Sequence, residues 1–316
     1  MSSGAQRGLA VLADGAQSAF AAAAVAALAA AGVRWTRGLG AGLGAQVAVL
    51  ALLGEADEAA RRWRRQAELS CPLLASELSA AQQRLGGTGG VVVLPDPWRM
   101  GGWLDPQSLL EHLSPEAADV PGRLRRAGVR CAVAVEDLAA GACGWLELDD
   151  VLVEEAGHVL RAAASFPAGW GPVEWLQDGE SRRWWGGVGT AATAGWSVGD
   201  DGMYWDIVCG FPVPAVARPA IGTGLLESIQ RREEARAAAS VVAWCRSLAR
   251  RGYCLVAPER ERYVRWAGRD TADLGIEYPL PFERNGEVAL AVGEFGTFSA
   301  KSAFGERPAS RNSAEG

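Results

Sequence analysis

Short apolar runs along the chain predict β-strands. These runs alternate with stretches of helical periodicity, and that alternation predicts the fold class. The runs at 129–138 and 203–211 are almost continuously apolar, which is typical of strands buried within a parallel sheet. Residues 173–187 alternate around Asp178-Gly179, a pattern that predicts a β-hairpin. The predicted single strands are residues 8–13, 34–39, 129–138, 143–148, 203–211 and 252–258.

Helical periodicity fills the stretches between these strands. Residues 19–31 are rich in alanine and are followed by Gly32, a common helix-ending residue. Residues 55–69 place Trp63 on the apolar side of an amphipathic helix. The predicted helices are residues 19–31, 45–54, 55–69, 103–113, 154–167 and 225–252. Strands that alternate with helices predict an α/β fold with a mostly parallel central sheet covered by helices.

The size and charge of the chain limit the number of domains and the classes of partner that we expect. With 316 residues, of which 49% are hydrophobic, the chain can bury a large core, and we predict one domain over residues 8–300. Residues 301–316 are polar and are predicted to form a disordered tail. The net charge of -6 argues against a nucleic-acid partner.

The spacing of cysteines and histidines predicts neither a metal-binding site nor a disulfide framework. The six cysteines form no Cys-x-x-Cys pair, and His112 and His158 are the only histidines. We therefore expect a reduced, cytoplasmic protein without a metal. Residues 8–33 resemble a signal peptide or membrane span in composition, but Asp14, Gln17 and Ser18 interrupt them, so no transmembrane segment is predicted.

A strand, a glycine-rich turn and a helix follow one another over residues 34–54. The turn reads Gly40-Ala41-Gly42-Leu43-Gly44, which has the outer glycines of a Gly-x-Ser-x-Gly nucleophile elbow and a glycine in place of the serine. We predict that Gly42 lies at a sharp strand-to-helix turn, with dihedrals that other residues adopt only under strain. Glycine turns also bind dinucleotide phosphates, but the spacing here lacks the third glycine of that fingerprint. No cofactor is predicted.

In order and spacing, residues 8–215 resemble the patatin-like phospholipase family. The opening strand, the loop after it, the alanine-rich helix and the elbow follow one another as in that family. Residues 103–113 and 133–141 resemble later segments, and residues 162–175 resemble the family's Ala-Ser-x-x-Pro segment. The family's Asp-Gly-Gly motif then corresponds to Trp185-Gly186-Gly187. The resemblance implies a patatin-like three-layer fold with a mostly parallel sheet.

The resemblance also implies a hydrolase site in which three parts are altered. Patatin-like hydrolases use a serine nucleophile and an aspartate base, and backbone N–H groups of a glycine-rich loop hold the oxyanion. Gly42 stands at the nucleophile position and Trp185 at the base position, so both groups are missing. The loop corresponds to Ala13, Asp14, Gly15 and Ala16. Asp14 brings negative charge to a site that normally stabilises it.

The tryptophans suggest how the altered site is filled. We predict that the ring of Trp185 packs against the Gly42 turn, where an ester carbonyl would sit, because burying a large apolar side chain is worth roughly 2–3 kcal/mol. Six tryptophans fall between Trp170 and Trp205. They are interpreted as core and pocket filling, with an apolar groove for acyl chains or a partner as the alternative.

These observations predict a protein that has lost the Ser–Asp pair and binds or scaffolds without catalysis. Its partner would be a protein, such as a second copy or an intact paralogue, or lipid acyl chains. The first alternative is a serine acyl hydrolase with a relocated nucleophile, for which Ser165 and Ser18 are the candidates. The second is an unrelated interaction protein. Asp137 and Asp178 are interpreted as a loop cap and a turn residue.

Overall fold

A computed structural model describes most of the predicted core of the chain. It describes residues 6–14, 18–68, 119–165, 171–177, 180–196, 202–213, 225–249 and 252–258. Predictions that lie outside these residues concern Gly15, Ala16, His112, Asp178, the loop 85–90, the helix 103–113 and the tail 301–316.

The described residues form eight strands and seven helices. The strands are β1 (Arg7–Ala13), β2 (Arg37–Gly42), β3 (Arg130–Asp137), β4 (Ala142–Glu147), β5 (Val173–Gln177), β6 (Glu180–Trp185), β7 (Tyr204–Cys209) and β8 (Tyr253–Val256). The helices are α1 (Ser18–Ala30), α2 (Gly44–Leu52), α3 (Ala56–Glu68), α4 (Val120–Ala127), α5 (Ala156–Ala164), α6 (Val188–Ala194) and α7 (Leu225–Leu248).

All eight strands belong to one mixed sheet. The strand order is β5-β6-β3-β2-β1-β7-β8, and β4 pairs with β3 outside this path. The central strands β3, β2, β1, β7 and β8 are parallel. Strands β4 and β6 are antiparallel to β3, and the predicted hairpin is formed by β5 and β6. The α/β prediction with a mostly parallel sheet is therefore confirmed.

Helices cover both faces of the sheet. Successive side chains of a strand point to opposite faces, so each strand contributes to two cores. Leu9 and Val11 of β1 pack in the core that contains α1, α2 and α5. Ala10 and Leu12 pack in the core beneath α6 and α7. The alanine-rich α1 is buried along almost its whole length, as expected for a helix that is apolar on all sides. Strand β1 and helix α1 thus form part of the folded core.

Strand β2 begins three residues later than the sequence predicted. The apolar pattern placed a strand at 34–39, whereas β2 runs from Arg37 to Gly42 and includes most of the glycine-rich segment. Glycine is required inside the strand because α2 lies very close to it. An ideal Cβ on Gly40 would lie 2.5 Å from Cα of Ala45. Because α2 packs this closely, glycines occupy the end of β2, although the local sequence favours a turn there.

Strands β2 and β3 stop pairing before their carboxyl ends. Their ladder ends at the pair Gly40–Val133, although β3 continues to Asp137. Strand β4 occupies the other edge of β3 over residues 132–137. The end of β6 therefore pairs with β3 on the side of β2, with Trp185 opposite Glu136. The chain that follows β6 is thereby directed toward the end of β2, where the elbow-like turn lies.

Most of the described tryptophans pack in the two cores. Trp175 and Trp184 stack with ring centroids 4.9 Å apart, and Trp196 and Trp244 stack at 4.4 Å. Trp205 is completely buried. For these side chains, core packing accounts for the aromatic surface, and the interpretation as an exposed acyl groove is not needed.

Candidate functional site

The glycine-rich turn has the backbone geometry that the sequence predicted. Gly42 is the last residue of β2 and has a φ of 64°, in the left-handed region that favours glycine. Leu43 follows, and α2 begins at Gly44. The strand-to-helix turn is therefore confirmed at Gly42. Gly40 lies inside the strand, so the turn is shorter than the five-residue pattern suggested.

The carboxylate of Asp14 occupies the space in front of Gly42. An ideal Cβ on Gly42 would lie 2.8 Å from Cγ of Asp14, and closer still to its Oδ1 and to the carbonyl oxygen of Ala13. Asp14 directly follows β1, beside the end of β2, and only 3% of it is exposed. A side chain of any kind at residue 42 would therefore collide with the end of β1.

One oxygen of Asp14 is satisfied and the other is not. The backbone N–H of Val188, the first residue of α6, donates to Oδ2 at 3.0 Å. Oδ1 is buried and has no hydrogen-bond partner among the described residues. Burial raises the pKa of Asp14 to about 7, the Val188 N–H opposes this rise, and the charge of Glu233 adds to it. The protonation state of Asp14 is therefore expected to change near neutral pH.

The tripeptide Trp185-Gly186-Gly187, which begins with the last residue of β6, connects this carboxylate to the sheet. An ideal Cβ on Gly186 would lie 2.5 Å from the carbonyl oxygen of Ala162, so only glycine fits against the last turn of α5. The N–H of Gly187 donates to the carbonyl of Ala163 at 2.9 Å. These contacts fix the start of α6, and hence Val188, next to Asp14. The segment after β6 is thereby joined to the segment after β1 through the hydrogen bond between Val188 and Asp14.

Trp185 itself is buried at the end of β6, with 5% of its surface exposed. It stands opposite Glu136 on the face of the sheet that carries α6, while its neighbour Trp184 belongs to the other core. The prediction that its ring covers Gly42 stays a prediction. The group found directly against Gly42 is the carboxylate of Asp14.

A small polar cleft opens beside Asp14, between the ends of the strands and α6 and α7. Its volume is about 240 Å³. Three carboxylates line it, those of Asp14, Glu136 and Glu233, together with the guanidinium of Arg236. Arg236 donates to Oε2 of Glu233 at 2.8 Å and to Oγ1 of Thr193 at 2.7 Å. The cleft therefore carries more negative than positive charge.

The hydroxyl and thiol groups that line this cleft are not activated. Thr190 donates to the carbonyl of Gly186 at 2.8 Å, so its hydroxyl proton is held by the backbone. Burial raises the pKa of Cys143, and the nearby charge of Glu136 adds to this rise. A thiol in such surroundings remains protonated and is a poor nucleophile at neutral pH.

The two serines considered as relocated nucleophiles are both buried. The hydroxyl of Ser165 donates to the carbonyl of Arg161 at 2.9 Å, and its own carbonyl accepts from Gly186. Ser165 therefore stabilises the end of α5. Ser18 begins α1, is completely buried, and its hydroxyl has no partner within the described ranges. Neither serine has a base in its described contacts.

Asp137 has the capping role that the sequence predicted. Its Oδ1 accepts from the N–H groups of Ala139 and Ala140 at 2.9 Å and 3.2 Å, and Arg182 donates to its Oδ2 at 3.3 Å. His158 lies on α5 and stacks against Trp175, with ring centroids 6.3 Å apart. Both side chains stabilise the fold.

Neither a cluster of metal ligands nor a membrane-spanning helix occurs in the described part of the chain. Within it, no group of three or more His, Cys, Asp or Glu side chains could hold a metal ion. None of the helices described there combines the length and the apolar character needed to cross a membrane.

Sequence reasoning identified Gly42, Asp14 and the tripeptide, but it missed the other charged residues of the cleft. Glu136 lies in an apolar strand, and Glu233 and Arg236 lie in a helix rich in charges, where nothing distinguishes them from solvent-facing neighbours. Only the packing of α6 and α7 over the sheet brings these three side chains to Asp14.

No protein-family model matches the chain. No curated protein shows significant similarity to it either.

Proposed function

We propose that this chain is a patatin-like protein without hydrolase chemistry, which acts as a binding or scaffolding module. The observation that carries the proposal is the contact between Gly42 and Asp14. The residue at the nucleophile position has no side chain, and the space such a side chain would enter contains a carboxylate. A serine elbow needs that space for its hydroxyl and for the attacked carbonyl.

The electrostatics of the turn support the same conclusion. Acyl transfer by a serine develops negative charge beside the elbow, and hydrolases stabilise it with donors. Asp14 brings a carboxyl group to this point, and at pH values above about 7 it is charged. Such a charge destabilises an oxyanion intermediate. The tryptophan at the base position offers no proton acceptor in place of the aspartate.

The cleft supports a polar ligand better than a lipid. Pockets for drug-sized ligands measure roughly 300–1,000 Å³ and are mainly apolar. The cleft beside Asp14 is smaller, at about 240 Å³, and three carboxylates line it. An acyl chain would find little apolar surface there. We therefore favour a protein or a small polar molecule as the partner over acyl chains.

The proposal is tested with ester hydrolysis and with a serine-directed probe. We expect no turnover of p-nitrophenyl butyrate or of phospholipid vesicles above the buffer rate, and no labelling by a fluorophosphonate. An active serine esterase in parallel shows that both assays work. Gly42→Ser restores neither readout, because the new side chain collides with Asp14.

Reproducible turnover together with labelling of the wild-type protein would overturn the proposal. Peptide mapping of the label then identifies the relocated nucleophile. Loss of turnover in Ser165→Ala or Ser18→Ala would establish the alternative, an acyl hydrolase whose nucleophile has moved.

A further inference from the structure

We infer that the cleft beside Asp14 binds one positively charged nitrogen group, an alkylammonium or a guanidinium. This inference rests on the proposed binding function and names the chemistry of its ligand. The group would lie between the carboxylates of Asp14 and Glu136, at the carboxyl ends of β1 and β3. Two independent observations support it: an unsatisfied buried carboxylate oxygen and an excess of negative charge.

The unsatisfied oxygen is Oδ1 of Asp14. It lies in a side chain that is 97% buried, given its exposure of 3%, and no described group donates to it. Asp14 nevertheless lines the cleft. Buried polar groups normally have a hydrogen-bond partner, and an unpaired carboxylate is especially costly. A cation that enters the cleft compensates the charge of this carboxyl group, and it satisfies Oδ1 once the carboxyl group turns from Gly42 toward the cleft.

The charge balance of the cleft selects a cation over an anion or a neutral group. Glu233 is compensated by Arg236, which donates to it at 2.8 Å. Asp14 and Glu136 have no cation of their own among the residues that line the cleft. The remaining polar neighbours are the thiol of Cys143, which is a weak donor, and the hydroxyls of two threonines. An anion placed there would meet two carboxylates.

The size of the cleft limits the ligand to one group. A volume of about 240 Å³ is below the range for drug-sized ligands, but it admits the end of a flexible chain that carries a cation. The same chemistry is available from a free small amine and from a lysine or arginine side chain of a protein partner. Both sources use the same carboxylates, so the experiment contains an arm for each.

Binding of a cation is expected to release a proton from Asp14 below about pH 7. The groups that face Asp14 are the Val188 N–H from α6 and Glu233 from α7, and Glu136 and Arg236 line the same cleft. Burial and Glu233 favour the protonated form of Asp14, which keeps its pKa at about 7. A bound cation favours the charged form, so the two equilibria are linked.

The test is isothermal titration calorimetry of the full chain with three probes. Agmatine represents a free small amine, the acetylated and amidated tripeptide Gly-Arg-Gly represents a protein side chain, and Gly-Gln-Gly is its neutral counterpart. We expect at least one cationic probe to bind and the neutral tripeptide not to bind. Titrations in two buffers of different ionisation enthalpy near pH 6 should report release of up to one proton.

Two charge-removing variants and one matched control locate the site. Asp14→Asn and Glu136→Gln should each weaken the cationic probe about ten-fold, as expected for loss of one charge-assisted hydrogen bond. Asp14→Asn should also abolish the proton release. Asp150→Asn is the control, because Asp150 is 75% exposed and faces Arg130 at the opposite end of β3. Its affinity for the probe should equal that of the wild type.

Each result of these titrations supports or overturns the inference. Binding of agmatine alone assigns the ligand to free amines, and binding of the arginine tripeptide alone assigns it to a protein partner. If no cationic probe binds at millimolar concentration, or if Asp14→Asn and Glu136→Gln bind as well as Asp150→Asn, the inference is wrong. Failure of the proposed function is seen separately, as ester turnover.

Discussion

A methyl group added at residue 42 tests the contact between the elbow-like turn and Asp14. In Gly42→Ala, the left-handed φ of 64° costs about 1–2 kcal/mol for a residue with a Cβ. The new Cβ would lie 2.8 Å from Cγ of Asp14 and even closer to Oδ1, so the carboxylate must move. Forced overpacking of this kind costs about 1–3 kcal/mol.

Displacement of the carboxylate has a further consequence. The N–H of Val188 then loses its acceptor, and an unsatisfied buried donor costs about 1–3 kcal/mol. The lower limits of the three contributions add to about 3 kcal/mol. A folded domain is stable by only about 5–15 kcal/mol, so this loss is easily measured.

The assay is urea unfolding followed by tryptophan fluorescence, with Gly128→Ala as the matched control. Gly128 has a φ of 67°, almost the same as Gly42, but an added Cβ meets no atom within 4 Å. Its substitution should cost about 1–2 kcal/mol, the conformational part alone. If Gly42→Ala costs no more than Gly128→Ala, Asp14 does not occupy the space in front of residue 42 and the account of the site is refuted.

Three further predictions concern buried groups around the sheet. Asp14→Asn should stabilise the protein at neutral pH. Native Asp14 keeps its proton up to about pH 7, whereas the unfolded chain loses it near pH 3.8. The free energy of unfolding of the wild type therefore falls as pH rises through that window, by up to roughly 4 kcal/mol. A stability difference between variant and wild type that is the same at every pH from below to above this window would contradict the raised pKa. Asp206→Asn should instead destabilise by about 1.5–3 kcal/mol, since Asp206 is fully buried and accepts from Arg7 at 2.9 Å and 2.7 Å and from Trp35 at 2.7 Å, while Arg7 is partly exposed to solvent. Equal unfolding midpoints at neutral pH would exclude that network as a stabilising element. Gly186→Ala should lower the midpoint by at least as much as Gly42→Ala because its Cβ would lie 2.5 Å from backbone of α5, and a midpoint equal to that of the wild type would show that the junction can open at little cost.

The hydrophobic pattern by itself determined the strands and the longer helices, but it did not predict the short helices α4 and α6. The apolar run that contains β3, the hairpin of β5 and β6, and the long helix α7 all lie where periodicity placed them. The turn at Gly42 was also predictable, because a left-handed residue between a strand and a helix leaves a glycine in the sequence. These features depend on neighbours within a few positions, and that information is present in the local sequence.

Only the tertiary structure decided what surrounds that turn. The fold brings the carboxylate of Asp14 against Gly42 and joins it to Val188, a residue 174 positions away. Glu136 and Glu233 join the same cleft from a strand and a helix that are far apart along the chain. The close approach of α2 to Gly40 inside β2 is likewise a tertiary contact that local propensity does not show. Contacts of this kind depend on how helices and strands pack across the sheet, and a one-dimensional pattern of polar and apolar positions does not specify that packing.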